Sequence, residues 1–315
     1  MQAMILAAGL GTRLLPLTQR RPKCLMPVMN QPLLGLWLAQ LAARGVLRAA
    51  VNTHHLAPQV REFLARETPA GLLVHESHEP TILGTGGGLV RLRDFWGSEP
   101  FLLVNADVLA EDDPGPLLAE LRRRRAVACL GLVDWPQVNS VAVDDQGLVR
   151  GFRDQAPSGA GLNWLTYSGL AAISPELLNF LPKSGYSSLV DGLKAALAAG
   201  RPVLGRRLTG YWNDLGAPAR LLAAHRRLFR DPPPGLAGLA AAGATLLAPG
   251  VSLPPSVAVR GFLAAESGAV VGPEAEVAEV VMLRNAVIAP GARVRATVLG
   301  EGAVARGELV GEALG

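Results

Sequence analysis

The sequence is short of the residues that build disulfide scaffolds, zinc sites and nucleic-acid surfaces. Of its 315 residues only two are cysteine, Cys24 and Cys129, which is too few for a disulfide framework and lacks the spacing of zinc ligands. Only three are lysine, Lys23, Lys183 and Lys194, and no long basic tract occurs. Because the formal net charge of +4 is small for this length, we expect no nucleic-acid partner.

Long apolar runs are missing as well. None reaches the ~20 residues that a membrane-spanning helix needs. No charged segment precedes the apolar residues at the N-terminus, as it would in a signal peptide. We therefore expect a cytoplasmic protein with no membrane contact. Half of the residues are hydrophobic, which is enough to form a substantial core in one large domain or two ordinary ones.

Short apolar runs alternate with helical patterns over the first two thirds of the chain. This order predicts an α/β fold with a doubly wound, mostly parallel sheet of the Rossmann-like kind. The continuous apolar run at residues 101–105 is typical of a central strand buried on both faces. The predicted strands are 3–8, 49–52, 72–76 and 101–105, and the predicted helices are 32–44, 58–66, 187–199 and 217–229.

The last quarter of the chain has a different pattern. Residues 231–235, Asp-Pro-Pro-Pro-Gly, break the preceding helix and predict a boundary between domains 1–230 and 231–315. Beyond them, aliphatic residues recur every five or six positions, which predicts a small parallel β-helix with three such segments to a coil. The alternative is an unstructured tail rich in Ala, Gly and Pro. The recurring positions are Val271, Val277, Met282, Ile288, Val294 and Leu299.

A glycine-containing loop that carries cations follows the first predicted strand. It reads Leu-Ala-Ala-Gly-Leu-Gly-Thr-Arg-Leu at 6–14 and continues to Pro-Lys-Cys at 22–24. Glycines let the backbone approach a phosphate, Arg13 offers a planar fork of donors, and Lys23 offers a compact charge. A dinucleotide fingerprint would need glycine at Leu14, and no Walker A sequence occurs here. The alternative is a tight turn with a surface arginine.

Two carboxylates and a glycine run complete the set of motifs. Asp107 follows the buried strand 101–105, and Asp214 stands just ahead of a helix. With phosphate oxygens they would form a hard-oxygen site suited to Mg²⁺, although each aspartate alone fits a turn or helix cap. Residues 83–88, Leu-Gly-Thr-Gly-Gly-Gly, bring backbone groups against a flat ligand such as a nucleobase or ribose, or form a flexible turn.

Together these motifs resemble the sugar-1-phosphate nucleotidyltransferase family, also called NDP-sugar pyrophosphorylases, over about residues 1–230. Segments 51–56 and 166–170 are similar to that family too. The resemblance implies Mg²⁺-dependent transfer of a nucleoside monophosphate from an NTP to a sugar 1-phosphate, with release of pyrophosphate. The repeats resemble the left-handed β-helix that many mannose-1-phosphate guanylyltransferases append, a domain that would support a homo-oligomer.

The resemblance also implies roles for individual residues. The nucleotide would contact Leu6, Ala8, Gly9, Gly11, Thr12, Gly86 and Gly87. The catalytic cations would be Arg13 and Lys23, and the Mg²⁺ ligands Asp107 and Asp214. The sugar pocket would include Asn163, Tyr167, Ser168 and Gly169, with Arg153 where the family often carries a lysine for the sugar phosphate.

The choice of substrate stays open at this point. The repeats favour GTP and a mannose-1-phosphate guanylyltransferase-like activity. The pattern around His54, His55 and the glycine run is closer to muramate-1-phosphate uridylyltransferases and heptose-1-phosphate guanylyltransferases, which use different nucleotides and sugars. A third hypothesis is a non-catalytic regulatory subunit that binds an NDP-sugar; the presence of both catalytic cations and both aspartates argues against it.

Overall fold

The computed structural model describes residues 1–155, 161–311 and 313–315. In the described part before residue 231 the helices are α1 (Leu33–Ala43), α2 (Ala57–Glu67), α3 (Gly84–Arg91), α4 (Arg93–Trp96), α5 (Gly115–Arg124), α6 (Leu189–Ala198) and α7 (Pro218–Arg230). The strands are β1 (Gln2–Leu6), β2 (Pro27–Val28), β3 (Gln31–Pro32), β4 (Arg48–Thr53), β5 (Leu73–His78), β6 (Phe101–Asn105), β7 (Val108–Ala110), β8 (Ala128–Val133), β9 (Val141–Val143), β10 (Val149–Phe152), β11 (Asn163–Ile173), β12 (Val203–Arg207) and β13 (Trp212–Asp214).

One large sheet organises this part of the chain. Its strand order is β10-β9-β11-β6-β1-β4-β5, and β8 pairs with both β11 and β12. Strands β6, β1, β4 and β5 run parallel to one another, whereas β11 is antiparallel to β6. The predicted α/β fold with a parallel central sheet is therefore confirmed. Strand β6 has the predicted bounds, 101–105.

Helices cover both faces of the sheet. Because side chains alternate along a strand, Ala3 and Ile5 of β1 join one core cluster and Met4 joins the other. The first cluster includes α1, α2 and α5, and the second includes α3, α4 and α6. Trp37 of α1 is buried in the first cluster, where its indole N–H donates to the carbonyl of Val108 at 2.7 Å. The central strands are thus held rigidly between two helical layers.

The strands of the C-terminal part form parallel stacks. The bounds are β14 (Thr245–Leu247), β15 (Ala258–Ala265), β16 (Val270–Val271), β17 (Glu276–Met282), β18 (Val287–Ile288), β19 (Arg293–Leu299), β20 (Val304–Ala305), β21 (Glu308–Val310) and β22 (Ala313–Leu314). One stack has the order β14-β15-β17-β19-β21, and a second has the order β16-β18-β20. Val277 pairs with Val294 and Met282 with Leu299, so each partner lies 17 residues further on.

The recurring aliphatic residues face the interior of these stacks. The six predicted positions are all buried, with 3% exposure or less at Val271, Val277, Met282, Ile288, Val294 and Leu299. Spacings of five and six residues sum to the 17-residue offset between paired strands. The alternative of an unstructured tail is wrong, because the strand ladder buries one aliphatic side chain per segment.

A third core cluster joins the first part of the chain to the C-terminal strands. It includes Leu14 and Leu17 from the glycine-containing loop, Leu228 from α7, and Phe262 and Val281 from β15 and β17. The two parts of the chain therefore share a buried apolar interface rather than a flexible link.

His225 of α7 lies at this interface and is fully buried. Its Nδ1–H donates to the carbonyl of Leu221 at 2.9 Å, and its Nε2 accepts the N–H of Met29 at 3.2 Å. The ring is therefore held in the neutral form. Burial lowers the pKa of His225 from 6.5 to about 4, although its hydrogen bond to Leu221 opposes that shift.

We expect the buried histidine to make the protein less stable in mild acid. Between pH 6.5 and 4 the imidazole of His225 is protonated in the unfolded chain but stays neutral in the folded chain. The free energy of unfolding therefore falls as the pH falls. The full loss is on the order of 3 kcal/mol. Thermal melts of the wild type and of His225→Gln across this range measure it. The wild type should lose more stability than the variant, and equal losses would contradict the assignment.

Candidate active site

An open cleft of about 220 Å³ lies at the carboxyl ends of β6, β1, β4 and β5. This edge of a parallel sheet is where α/β folds bind ligands. The cleft is lined by Leu6, Ala7, Ala8, Gly9, Gly11, Lys23, Cys24, Asn52, Glu79, Ile82, Gly84, Thr85, Asn105, Ala106 and Asp107. It therefore brings together the glycine-containing loop, one catalytic cation and one predicted metal ligand.

The loop after β1 forms one wall of the cleft. Four predicted nucleotide contacts line it, namely Leu6, Ala8, Gly9 and Gly11. Gly11 has a left-handed backbone (φ +69°), and a Cβ there would lie 2.7 Å from Cγ2 of Thr18. Thr12 is exposed and begins a 3-10 turn directly after Gly11. The sharp turn at Gly11 therefore requires glycine both for its conformation and for space.

Each predicted catalytic cation contacts a predicted metal ligand. The ammonium of Lys23 is paired with the carboxylate of Asp107, and both side chains are largely buried. Nη2 of Arg13 lies 3.4 Å from Oδ2 of Asp214, with the arginine side chain 62% exposed. The second oxygen of Asp214 accepts the N–H of Gly216 at 2.7 Å. Arg13 is therefore free to turn towards an incoming anion, whereas Lys23 is held in place.

A short antiparallel pair of strands places the two aspartates side by side. Strand β7 follows Asp107, and Asp214 of β13 pairs with Val108 of β7. The N–H of Leu215 donates to the carbonyl of Asp107 at 2.8 Å. This backbone pairing thus makes neighbours of two residues that are 107 positions apart in sequence, Asp107 in the lining of the cleft and Asp214 on the adjacent strand.

The donor set fits a magnesium ion bound jointly with substrate. In the described residues no group of three or more His, Cys, Asp or Glu side chains is arranged to hold a metal. Mg²⁺ does not need such a cage, because it is usually held by one or two carboxylates together with phosphate oxygens and water. Asp107 and Asp214 supply two carboxylates, and the rest of the coordination would come from the ligand.

The neighbouring thiol of Cys24 also lines the cleft. Burial, with a smaller contribution from the negative charge of Asp107, raises the pKa of Cys24 to about 12. The thiol therefore stays protonated near neutral pH, and its part in the site is packing rather than nucleophilic attack.

A buried polar chain behind the cleft was not predicted from the sequence. Oδ1 of Asn52 accepts the N–H of Ala7 at 2.8 Å, and its Nδ2 donates to Oε1 of Glu79 at 2.8 Å. Oε2 of Glu79 accepts the N–H of Leu83 at 2.9 Å. These hydrogen bonds connect the glycine-containing loop to the start of α3. Asn52, Glu79 and Asn105 lie at or just past the ends of neighbouring parallel strands. Polar residues at such strand ends could have been predicted from the sequence to belong to the site.

The glycine run contacts the cleft with different residues from those predicted. Gly84 and Thr85 line it, whereas Gly86 and Gly87 turn the other way. The N–H groups of Gly86 and Gly87 both donate to the carbonyl of Ser187, at 2.8 and 3.3 Å. The predicted contact of Gly86 and Gly87 with the base stays a prediction, and in this structure their N–H groups are occupied by Ser187. These glycines are required because residues 185–188 pack closely against α3.

The predicted sugar pocket is only partly assembled around the cleft. The register of β11 against β8 shifts just after Tyr167, and Gly169 (φ +84°) brings β11 against Asn105, where a Cβ would lie 2.9 Å from the Asn105 Cβ. The hydroxyl of Tyr167 is buried, which raises its pKa. Ser168 is 1% exposed and its Oγ accepts the N–H of Leu170, which is a structural contact; its predicted contact with the sugar stays a prediction.

Asn163 and Arg153 lie away from the cleft. Asn163 is at the exposed start of β11, six residues or about 20 Å of extended strand from Gly169. Arg153 donates to the carbonyl of Asn139 and does not line the cleft. Neither residue is among those that line the cleft, and their assignment to the sugar pocket stays a prediction.

The fold and these charges define a transferase that acts on nucleotides. The glycine-containing loop, Lys23 and Asp107 lie at the carboxyl edge of a parallel sheet, and the pair of Arg13 and Asp214 lies on the strand next to Asp107. The model of the nucleotidyl transferase family matches residues 2–230. The chain belongs to this family, and as predicted it is an enzyme of the sugar-1-phosphate nucleotidyltransferase class.

The chain is similar to curated members with different substrates. It is 33% identical to the N-acetylmuramate alpha-1-phosphate uridylyltransferase of Neisseria meningitidis over 227 residues, which cover 71% of this chain and 96% of that protein. It is 28% identical to the mannose-1-phosphate guanylyltransferase of Mycobacterium tuberculosis over 298 residues, which cover 92% of this chain and 80% of that protein.

The fold is shared with solved structures. The UDP-glucose pyrophosphorylase from Acinetobacter baumannii superposes with a TM-score of 0.60 at 20% identity, covering 72% of this chain and 92% of that one. This likeness supports the α/β fold of the first part of the chain. Separately, none of the helices in the described ranges is long and apolar enough to cross a membrane.

Proposed function

We propose that this enzyme joins a nucleoside triphosphate to a sugar 1-phosphate, forming an NDP-sugar and pyrophosphate, with Mg²⁺ held by Asp107 and Asp214. The observation that carries the proposal is that Lys23 and Asp107 pair in the cleft, while Arg13 pairs with Asp214 on β13, the strand that lies against β7 directly after Asp107. Two cations and two metal ligands meet the needs of a reaction between two polyanions.

The reaction needs alignment and charge compensation rather than a general base. The oxygen of the sugar phosphate is already ionised near pH 7 and attacks the α-phosphorus in line, displacing pyrophosphate. Lys23 would neutralise charge at the α-phosphate, and Arg13 would bind the outer phosphates through its planar fork. A bound Mg²⁺ would supply charge neutralisation and a template for the phosphates. The loop around Gly9 and Gly11 would bring backbone N–H groups to the triphosphate.

We favour a guanylyltransferase that resembles the mannose-1-phosphate enzymes, because that similarity extends across the C-terminal strands. A uridylyltransferase acting on muramate 1-phosphate or another hexose 1-phosphate is the second candidate, favoured by the 33% identity over 227 residues to the N-acetylmuramate alpha-1-phosphate uridylyltransferase, against 28% over 298 residues to the guanylyltransferase. The parallel strand ladder with its 17-residue offset supports a β-helix as a second domain, residues 231–315, which we propose is left-handed and forms a homo-oligomer.

The substrates are tested with purified protein and Mg²⁺. GTP and UTP compete in one reaction for mannose 1-phosphate, N-acetylmuramate 1-phosphate and glucose 1-phosphate, and mass spectrometry identifies the NDP-sugar. A GDP-sugar as main product supports the first candidate, and a UDP-sugar supports the second. Binding of an NDP-sugar without any turnover would replace both with the regulatory-subunit hypothesis.

A further inference from the structure

The loop that carries Arg13 and Lys23 is backed by the C-terminal strands. Between these two cations the loop passes through Leu17, which is 2% exposed and packs in the shared core cluster with Val281 and Val298. A Cβ on Gly315 would lie 2.6 Å from Pro16 of the loop, so the end of the chain is in close contact with it. The outer side of the catalytic loop is therefore formed by the C-terminal part.

A buried ion pair fixes this contact. Arg21 is 6% exposed, and its Nη1 donates to both carboxylate oxygens of Glu266 at 2.8 and 2.7 Å. Glu301 adds a weaker contact at 3.4 Å, and its carbonyl accepts from Nη1 of Arg20 at 3.0 Å. Glu266 also accepts the N–H of Arg284. A charged group buried this deeply keeps its position only while its partner is present.

The ion pair is only a short distance along the chain from the catalytic cation. Arg21 is separated from Lys23 by Pro22, whose ring restricts the backbone. On the other side of the loop, Oγ1 of Thr18 donates to the carbonyl of Gly11 at 2.9 Å, and Gly11 lies so close to Lys23 that a Cβ added to it would be 3.2 Å from Cβ of Lys23. A shift of Arg21 would therefore be passed to Lys23 and to the glycine turn together.

We propose that the C-terminal strands hold the phosphate-binding loop in its active geometry, and that Arg21 is the positioning residue through which they act. This inference rests on the proposed function, since it assumes that Lys23 acts on the α-phosphate. It gives the C-terminal part a role in catalysis that is separate from assembly. Neither Arg21 nor Glu266 needs to contact a substrate.

The test compares two ion pairs that both join the first part of the chain to the C-terminal strands. Arg21→Ala, Glu266→Ala and the double variant remove the pair that holds the loop. Arg226→Ala removes the matched pair between α7 and Glu279 of β17, which is joined by an Nε–Oε1 bond of 2.9 Å and lies outside the loop. Steady-state kcat and KM are measured for each variant well below its melting temperature, after circular dichroism confirms folding.

We expect kcat of Arg21→Ala and Glu266→Ala to fall about 10- to 100-fold, the cost of displacing a catalytic group by about an ångström. The double variant should be no worse than either single variant, because the two residues act as one unit. Arg226→Ala should lower the melting temperature and leave kcat unchanged. Arg21→Lys, which keeps the charge but loses the two-oxygen contact, should recover part of the activity. If Arg21→Ala does not fold, Arg21→Lys replaces it as the test variant.

Hydrogen exchange supplies a readout that does not depend on turnover. Amides of residues 12–25 should exchange faster in Arg21→Ala and Glu266→Ala than in Arg226→Ala. The inference is overturned if Arg21→Ala and Glu266→Ala melt earlier but keep the wild-type kcat, or if Arg226→Ala loses as much kcat as they do. An inactive wild type would instead count against the proposed function.

Discussion

Replacing Asp107 or Asp214 with alanine should reduce turnover by about 1000-fold or more while the protein stays folded. Each change removes one of the two carboxylates that would hold Mg²⁺, and each leaves a cation, Lys23 or Arg13, without its partner. Neither aspartate is among the buried residues of the core, so the fold should survive.

The measurement is pyrophosphate release at saturating substrate, alongside a thermal melt. Asp231→Ala is the matched control, because its carboxylate is 78% exposed just after α7 and takes no part in the cleft. Its activity should equal that of the wild type. Full activity in either Asp107→Ala or Asp214→Ala would rule out the assigned metal site.

Removing the charge of Lys23 should lower kcat by about 100- to 1000-fold, with a smaller change in KM for the nucleotide. Lys23 is held against Asp107 inside the cleft, where it would stabilise charge that develops on the α-phosphate during transfer. Such an interaction is stronger in the transition state than in the bound substrate, so its loss affects kcat first.

Lys23→Ala is compared with Lys183→Ala, which removes a lysine that is exposed and outside the cleft. Initial rates over a range of NTP concentrations separate kcat from KM. Lys183→Ala should behave as the wild type does. An effect of Lys23→Ala confined to KM would mean that the lysine contributes binding only.

The sequence predicted most where local pattern decides the structure. The apolar run 101–105 has hydrophobic side chains on both faces of a strand, which favours burial of both faces. It forms β6 with the predicted bounds. The aliphatic repeat after Val271 predicted which side chains are buried, because a regular ladder needs one inward residue per segment.

Contacts between distant segments could not be read in this way. Gly86 and Gly87 have the composition of a ligand-binding loop, yet the carbonyl of Ser187, a hundred positions later, takes their N–H groups. Glu79 has no motif around it, and its link to Asn52 depends on the neighbouring positions of β4 and β5. Arg21 looks like an ordinary basic residue until Glu266 is placed beside it.

The most direct measurement of the central claim is pyrophosphate release by the wild type when NTP, sugar 1-phosphate and Mg²⁺ are supplied together or with one left out. We predict one pyrophosphate for each NDP-sugar formed, release that requires all three components, and its loss in Asp107→Ala. If the wild type binds an NDP-sugar but releases no pyrophosphate with any pair of NTP and sugar 1-phosphate, the chain is not acting as a nucleotidyltransferase.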